Sequence, residues 1–313
     1  MLGKTAGGLY WMFRYLERSE NTARLVEAGQ RIALTRSSSA EAEWASILAA
    51  LGAKAGFDAK YDATEPQAVV DYLLRDRDNP ASVMQIVAMA RDNARTVRTA
   101  LTREVWEAVN ECYLTLRDVL ARRVPERDLP EVLGTIRTRS AFVRGALHGT
   151  MMRNDIYNFA RIGTFLERAD NTARLLDVKY YVLLPSALHV GSTLDNVQWE
   201  TILRAVSAEG AFRMAYGGDT QPLDIAEFLI FDGRMPRSLK FCVRKLSENL
   251  GHIAMQYGAR MQSQEAADAL TAHLEGQTIE AVFEAGLHEE VAGFIRDLSA
   301  LGRQIEEDYR FIA

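Results

Sequence analysis

Residues 15–25 of this 313-residue chain read YLERSENTARL, and residues 165–175 read FLERADNTARL. Eight of these eleven positions are identical, and Tyr15/Phe165 and Glu20/Asp170 are conservative exchanges. The echo continues in order. Trp44 in EWASIL matches Trp199 in QWETIL, and YLLRDRDNPASV (72–83) matches FLIFDGRMPRSL (228–239), aligning Pro80 with Pro236 and Ser82 with Ser238. Asp92-Asn93 then matches Glu248-Asn249. The offset grows from 150 to 156, so the second stretch carries about six extra residues between Leu175 and Phe228. Collinear matches of this kind indicate an internal duplication. Duplicated units pack against each other because neither covers its apolar face alone.

Both stretches read as helix. Apolar residues recur at three- and four-residue spacing, and no run of alternating β-branched residues appears. All seven prolines sit where helices start or stop, and Asn79-Pro80 reads as an N-cap followed by proline in the first turn. The pattern predicts helices near 8–35, 41–52, 66–76, 80–101, 103–122, 130–148, 152–184, 196–215, 222–231, 236–258, 261–274 and 277–309, the last broken near Gly286. The expected fold is all-α: a duplicated multi-helix bundle whose two pseudo-symmetric halves pack into one body. The repeats span about 8–122 and 152–270, with C-terminal helices over 277–313, a seam near 122–151, and one domain over 1–313. Two loosely joined domains would instead leave an exposed, cleavable segment near Arg122–Pro130.

Composition narrows the function classes. A net charge of −5 argues against non-specific nucleic-acid binding. No stretch approaches the ~18 apolar residues of a membrane helix. The amino terminus is not read as a signal peptide, because Arg14 and Glu17 interrupt its short apolar run. Cys112 and Cys242 are isolated, so neither a disulfide framework nor a zinc pattern is present, and a cytoplasmic setting is expected. No P-loop, G-x-G-x-x-G or H-E-x-x-H occurs, and the five histidines are scattered, so no cofactor and no metal are expected. Arginines number 31 against six lysines. A GC-rich genome would produce that bias, and so would selection for bidentate carboxylate or phosphate contacts, which Lys makes poorly.

On a helix advancing about 100° per residue, Glu17, Asn21 and Arg24 fall within a stripe of roughly 60°, as do Glu167, Asn171 and Arg174. Aromatic or small residues flank both trios, which suits a stripe facing another helix or a cavity. Arg18 and Arg168 point about 100° away from the adjacent glutamates, so each needs a partner from elsewhere. The other copy's helix is the obvious candidate. Glu20→Arg24 and Asp170→Arg174 are i,i+4 pairs in the favourable orientation. Such a set is either a buried network that fixes helix packing or a ligand or catalytic site. Arg91, Arg95 and Arg98 form a second basic stripe, matched in the other copy by Ser247, Gly251 and Ala254; that copy has its own stripe, Arg237, Lys240 and Arg244, where the first has Ala81, Met84 and Ala88. Like charges at that spacing repel unless acidic neighbours or a bound anion lie opposite.

GGLYWMFRYLERSENTARL at the start, ARDNARTVR with Glu104 and Trp106 in the middle, and FLERADNTARLLDVKYYVLLP resemble the bacterial alpha-E family. That family takes its name from its helical content and its Glu-Arg motif. The resemblance implies an all-helical cytoplasmic protein. Its signature falls on Glu17-Arg18, Asn21, Arg24, Asn93, Arg95, Glu167-Arg168 and Arg174. It also implies company: a circularly permuted ATP-grasp amidoligase, with transglutaminase-like and proteasome-like peptidases nearby.

Two functional readings follow, beside a purely structural scaffold. In one, the bundle docks an ATP-grasp ligase that forms amide bonds on a small peptide or amino acid. A small carboxylate or peptide ligand is then held by Arg18, Asn21, Arg24, Arg91, Asn93, Arg95, Arg168, Asn171 and Arg174. In the other, Glu17 or Glu167 is a catalytic acid or base whose pKa is raised by burial, with arginines stabilising an oxyanion or phosphate.

Overall fold

The computed structural model describes residues 1–35, 40–181, 193–217 and 221–311. Fifteen α-helices and no strand occur among them. They are α1 (Gly3–Thr35), α2 (Ala40–Ala50), α3 (Lys54–Asp58), α4 (Pro66–Leu74), α5 (Val83–Thr96), α6 (Arg103–Val119), α7 (Leu129–Thr150) and α8 (Asp155–Tyr181). They continue with α9 (Thr193–Ala205), α10 (Glu209–Tyr216), α11 (Pro222–Phe231), α12 (Leu239–Tyr257), α13 (Gln262–Glu275), α14 (Ile279–Ala285) and α15 (Leu287–Asp308).

Local chemistry sets many of the boundaries. Thr102, Ser238 and Thr278 cap α6, α12 and α14 by accepting a backbone N–H three residues on. Pro66, Pro130 and Pro222 occupy first turns, where a missing N–H costs nothing. Gly286, with φ of +105°, separates α14 from α15 as the sequence predicts.

Some elements differ from expectation; α1 begins at Gly3 rather than near 8, and α5 ends at Thr96 rather than near 101. The helix expected from Pro80 begins at Val83, because Asn79 Oδ1 first accepts from the Ala81 N–H at 2.9 Å and closes a turn. Ser82 Oγ donates to the Asp76 carbonyl at 2.8 Å, and in the matched segment Ser238 Oγ donates to the Asp232 carbonyl at 2.6 Å. The single helix expected over 196–215 is two, split at Ser207, whose φ is +52°. That left-handed residue lets the Ala208 N–H reach back to the Leu203 carbonyl at 2.7 Å. The short α3 was not anticipated. The expected end of the 152–184 helix falls partly outside the described residues.

The helices form one body with a continuous apolar core. Two rings of four helices organise it. In one, α1 packs on α5, α5 on α6, α6 on α7 and α7 back on α1. In the other, α8 packs on α12, α12 on α13, α13 on α15 and α15 back on α8. The region read as a seam thus contains α7, which closes the first ring. The C-terminal α15 closes the second.

α1 and α8 join the rings, running side by side in the same direction: Tyr10 meets Gly163, and Glu17 meets Arg168. Their approach is close enough that a Cβ on Gly163 would lie 2.2 Å from the Tyr10 carbonyl oxygen. α2 and α9 each touch both central helices and bury Trp44 and Trp199. Among the described residues no helix is long and apolar enough to cross a membrane.

Candidate functional site

The two Glu-Arg motifs meet on the α1–α8 seam and exchange partners. Arg168 donates from Nε to Glu17 Oε1 at 2.8 Å and from Nη2 to Oε2 at 3.0 Å. Reciprocally, Arg18 donates from Nε to Glu167 Oε1 at 2.5 Å and from Nη2 to Oε2 at 2.9 Å. Each motif therefore supplies the carboxylate for the other motif's guanidinium, in the bidentate geometry that makes such bonds strong. Parallel packing brings this about. Side by side in register, each glutamate faces the residue after its counterpart.

Further arginines converge from distant parts of the chain. Arg14 reaches Glu167 Oε2 at 3.0 Å, held between the rings of Tyr10 and Trp11. Arg237, from the turn before α12, bonds Glu17 at 3.0 Å, Glu20 at 2.9 Å and Asn21 Oδ1 at 3.0 Å. Arg144 of α7 pairs with Glu17 at 3.4 Å and with Glu20. Arg24 is held by Glu20 through Nη2 at 2.6 Å and by the Ser207 hydroxyl. Arg174 is held by Asp170 at 2.7 Å.

This surrounding reverses one expectation. Burial by itself pushes the Glu17 carboxyl up, but Arg168, Arg237 and Arg144 outweigh it and hold the group well below the usual carboxylate range. Burial likewise raises Glu167, and Arg18 and Arg14 bring it down below its ordinary value. Burial and the Glu17 charge raise Glu20, whereas Arg144, Arg237 and Arg24 lower it to a net depression. The raised pKa that an acid–base role would need is absent at both glutamates, because each buried carboxylate is matched by two or more guanidinium groups. Burial also drops Arg237 to about 10, the Glu17 charge opposing it, so it remains a cation at neutral pH.

Beside the cluster lies a cavity of about 240 Å³. Its polar wall is Arg18, Asn21, Glu167, Asp170, Asn171 and Arg174; Leu51 and Leu73 face them from the apolar side. Asn21 is 2% exposed, and its Nδ2 has no hydrogen-bond partner among the described residues. An orphaned buried amide of this kind costs about 1–3 kcal/mol unless something accepts from it. Arg18 and Arg174 keep 30% and 42% of their side chains exposed, so both reach the cavity despite their carboxylate partners. Among the described residues seven guanidinium groups of the cluster (Arg14, Arg18, Arg24, Arg144, Arg168, Arg174, Arg237) face four carboxylates (Glu17, Glu20, Glu167, Asp170). Three positive charges are left over.

The structure does not bring every sequence-selected residue here. Arg91 lies on α5, donates to Asn110 Oδ1 at 2.8 Å and stacks on Tyr113. Asn93 donates to the Met89 carbonyl one turn back at 2.9 Å. Arg95 is 70% exposed and pairs with Asp92 at 3.4 Å. None of the three lines the cavity, and Arg24 and Arg168 stand behind its wall. Arg14 and Arg144 were missed by sequence reasoning, and Arg237 was singled out only as part of a stripe. Nothing in their local spacing announces a partner more than 120 residues away. Among the described residues no group of three or more His, Cys, Asp or Glu side chains is placed to hold a metal ion.

Comparison with known proteins supports the helical class and the Glu-Arg motif. No solved structure matches the chain. An uncharacterized protein of Mycobacterium bovis is 25% identical over 323 residues, covering 96% of this chain and 35% of its own length. An uncharacterized protein of Mycobacterium tuberculosis matches with the same identity and coverage. The chain thus spans about a third of the length of the curated relatives it matches. The family model named Alpha-E, described as a predicted alpha-helical domain with a conserved ER motif, matches residues 1–310. With the two Glu-Arg pairs interlocked at its centre and the match running through nearly the whole chain, this protein belongs to the Alpha-E family.

Proposed function

We propose that this chain is a binding module that holds the carboxylate of a small peptide or amino acid for an ATP-grasp amidoligase. One observation carries the reading: the cavity beside the Glu-Arg cluster is lined by Arg18, Arg174 and Asn21, whose buried Nδ2 has no partner among the described residues, next to a cluster in which guanidinium groups outnumber carboxylates. An anion entering there supplies the missing countercharge and an acceptor for Asn21. Arg18 and Arg174 contact the ligand. Arg24 and Arg168, saturated by Glu20 and Glu17, position the cluster behind them. Glu17 and Glu167 act as fixed anions rather than as acid or base, since their depressed pKa values keep them ionised.

The reciprocal Glu-Arg exchange and the like order of the two helical rings support an origin by duplication, with one shared site on the seam. The ligase partner rests on the family resemblance.

Isothermal titration with glutamate, glycylglycine and a glutamyl tripeptide tests the ligand. Saturable binding that weakens about tenfold or more in Arg174→Ala supports the reading, as loss of a charge-assisted hydrogen bond requires. Failure of all three to bind ends it. Absence of association with the purified neighbouring ligase would remove the partnership and leave the carboxylate site standing.

A further inference from the structure

A second cavity, about 650 Å³ in volume, opens between the first turns of α8 and the last turns of α12. Asn158 on its wall and Asn171 in the first cavity are thirteen residues apart on α8, about 20 Å along the axis. Arg153, Tyr157, Asn158, Arg161 and Lys245 supply the donors around it. Its acidic side chain, Glu248, is paired with Lys245 at 2.5 Å and Arg244 at 3.5 Å.

Arg161 is the unusual member. Among the described residues it has no carboxylate within ion-pair distance; its guanidinium lies on the Phe165 ring and bonds His148 Nε2 at 2.8 Å. A guanidinium only donates, so His148 accepts at Nε2 and carries its proton on Nδ1. Nδ1 lies 2.8 Å from the Tyr157 hydroxyl, whose oxygen accepts the Nδ1–H hydrogen bond and which is left with its own O–H to donate. Asn158 is 4% exposed and makes no side-chain hydrogen bond among the described residues, so its amide faces the cavity unpartnered. The cavity therefore presents a guanidinium with no carboxylate partner, a hydroxyl donor and an amide, together with Lys245, which it shares with Glu248, and Arg153, which also donates to the Met151 and His148 carbonyls. A ligand that satisfies them needs several acceptor oxygens and more than one negative charge.

We infer that this cavity is a phosphate-binding site, separate from the carboxylate site on the seam, that recognises a free phosphate or the phosphate group of a small organic ligand through Arg161, Tyr157, Asn158 and Lys245. The Tyr157 ring, with Arg153 stacked on it 4.1 Å from the centroid, and the exposed Met255 form a lip that an organic portion would cover.

Titration of the full chain with inorganic phosphate and with phenyl phosphate, followed by phosphorus NMR, tests this. Saturable binding of either is expected, weakened at least tenfold in Arg161→Gln and in Lys245→Gln, with circular dichroism unchanged. Tighter binding of phenyl phosphate assigns the site to an organic phosphate, and equal binding assigns it to free phosphate. Arg174→Ala leaves phosphate binding intact, which separates this site from the proposed carboxylate site. Should Arg161→Gln unfold the chain, Lys245→Gln and Asn158→Ala decide. No saturable binding, or affinity unmoved by these substitutions, overturns the assignment. So does affinity lost in Arg174→Ala.

Discussion

Replacing Glu17 with glutamine keeps the shape of the most enclosed side chain in the cluster and removes its charge. Glu17 is fully buried and contacts Arg168, Arg237 and Arg144, whose side chains are 11%, 7% and 17% exposed. All three guanidinium groups are held largely away from water. Removing one partner of a buried pair costs about 3–5 kcal/mol, because it strands the other charge. Glu17→Gln belongs at the upper end of that range, since Glu20 alone remains to face Arg237 and Arg144. Glu167 provides the contrast. Its two guanidinium partners, Arg18 and Arg14, are 30% and 14% exposed; Arg18 can rehydrate and Arg14 keeps its bond to the Tyr10 hydroxyl, so Glu167→Gln costs less, roughly the 1.5–3 kcal/mol of a charge-assisted hydrogen bond. Urea denaturation followed by far-ultraviolet circular dichroism measures both, the midpoint shifting while the slope stays constant. The double variant Glu17→Gln/Arg168→Met recovers part of the loss, because an apolar side chain strands no charge. The reasoning is refuted if Glu17→Gln lies within about 1 kcal/mol of the parent, or if Glu167→Gln proves the more damaging.

Acid should destabilise the fold in two stages. His148 is lowered to about 4 by burial and then by Arg161, so its contribution is complete above its unfolded value of about 6.5 and is lost as pH falls toward 4. Glu17, Glu20 and Glu167, also depressed, stabilise fully above about pH 4.3 and lose that contribution below it. Thermal melts from pH 8 to 3 should show both falls, and His148→Gln should flatten only the upper one. Gly163→Ala, whose added methyl meets the Tyr10 carbonyl, should destabilise by about 1–3 kcal/mol through overpacking; a melting temperature equal to the parent's would mean that the helices can separate freely. Burial pushes the Cys112 and Cys242 thiols up to about 12, with Arg139 opposing at Cys112 and Arg168 at Cys242. Neither should react with a thiol-specific reagent until the chain unfolds, and rapid native labelling would contradict this packing.

The helical class, most helix ends and the need of Arg18 and Arg168 for distant partners were all legible in the sequence. They depend on periodicity, capping and the angle between neighbouring residues, which a chain carries locally. The matched segments at 72–83 and 228–239 form like turns, each closed by a serine bonding back to a carbonyl six residues earlier. Ser207 is one boundary that was not legible: it takes the left-handed conformation without being the glycine or asparagine that would signal it. What the tertiary structure decided is which charges meet. Arg144 and Arg237 reach Glu17 and Glu20 across 120 to 220 residues of chain, while Arg91, Asn93 and Arg95, equally prominent as a motif, are turned to partners on or near their own helix. The direction of the glutamate pKa shifts followed from that choice. Burial raises a carboxyl and guanidinium groups lower it, and only the packed arrangement sets how many cations surround each carboxylate.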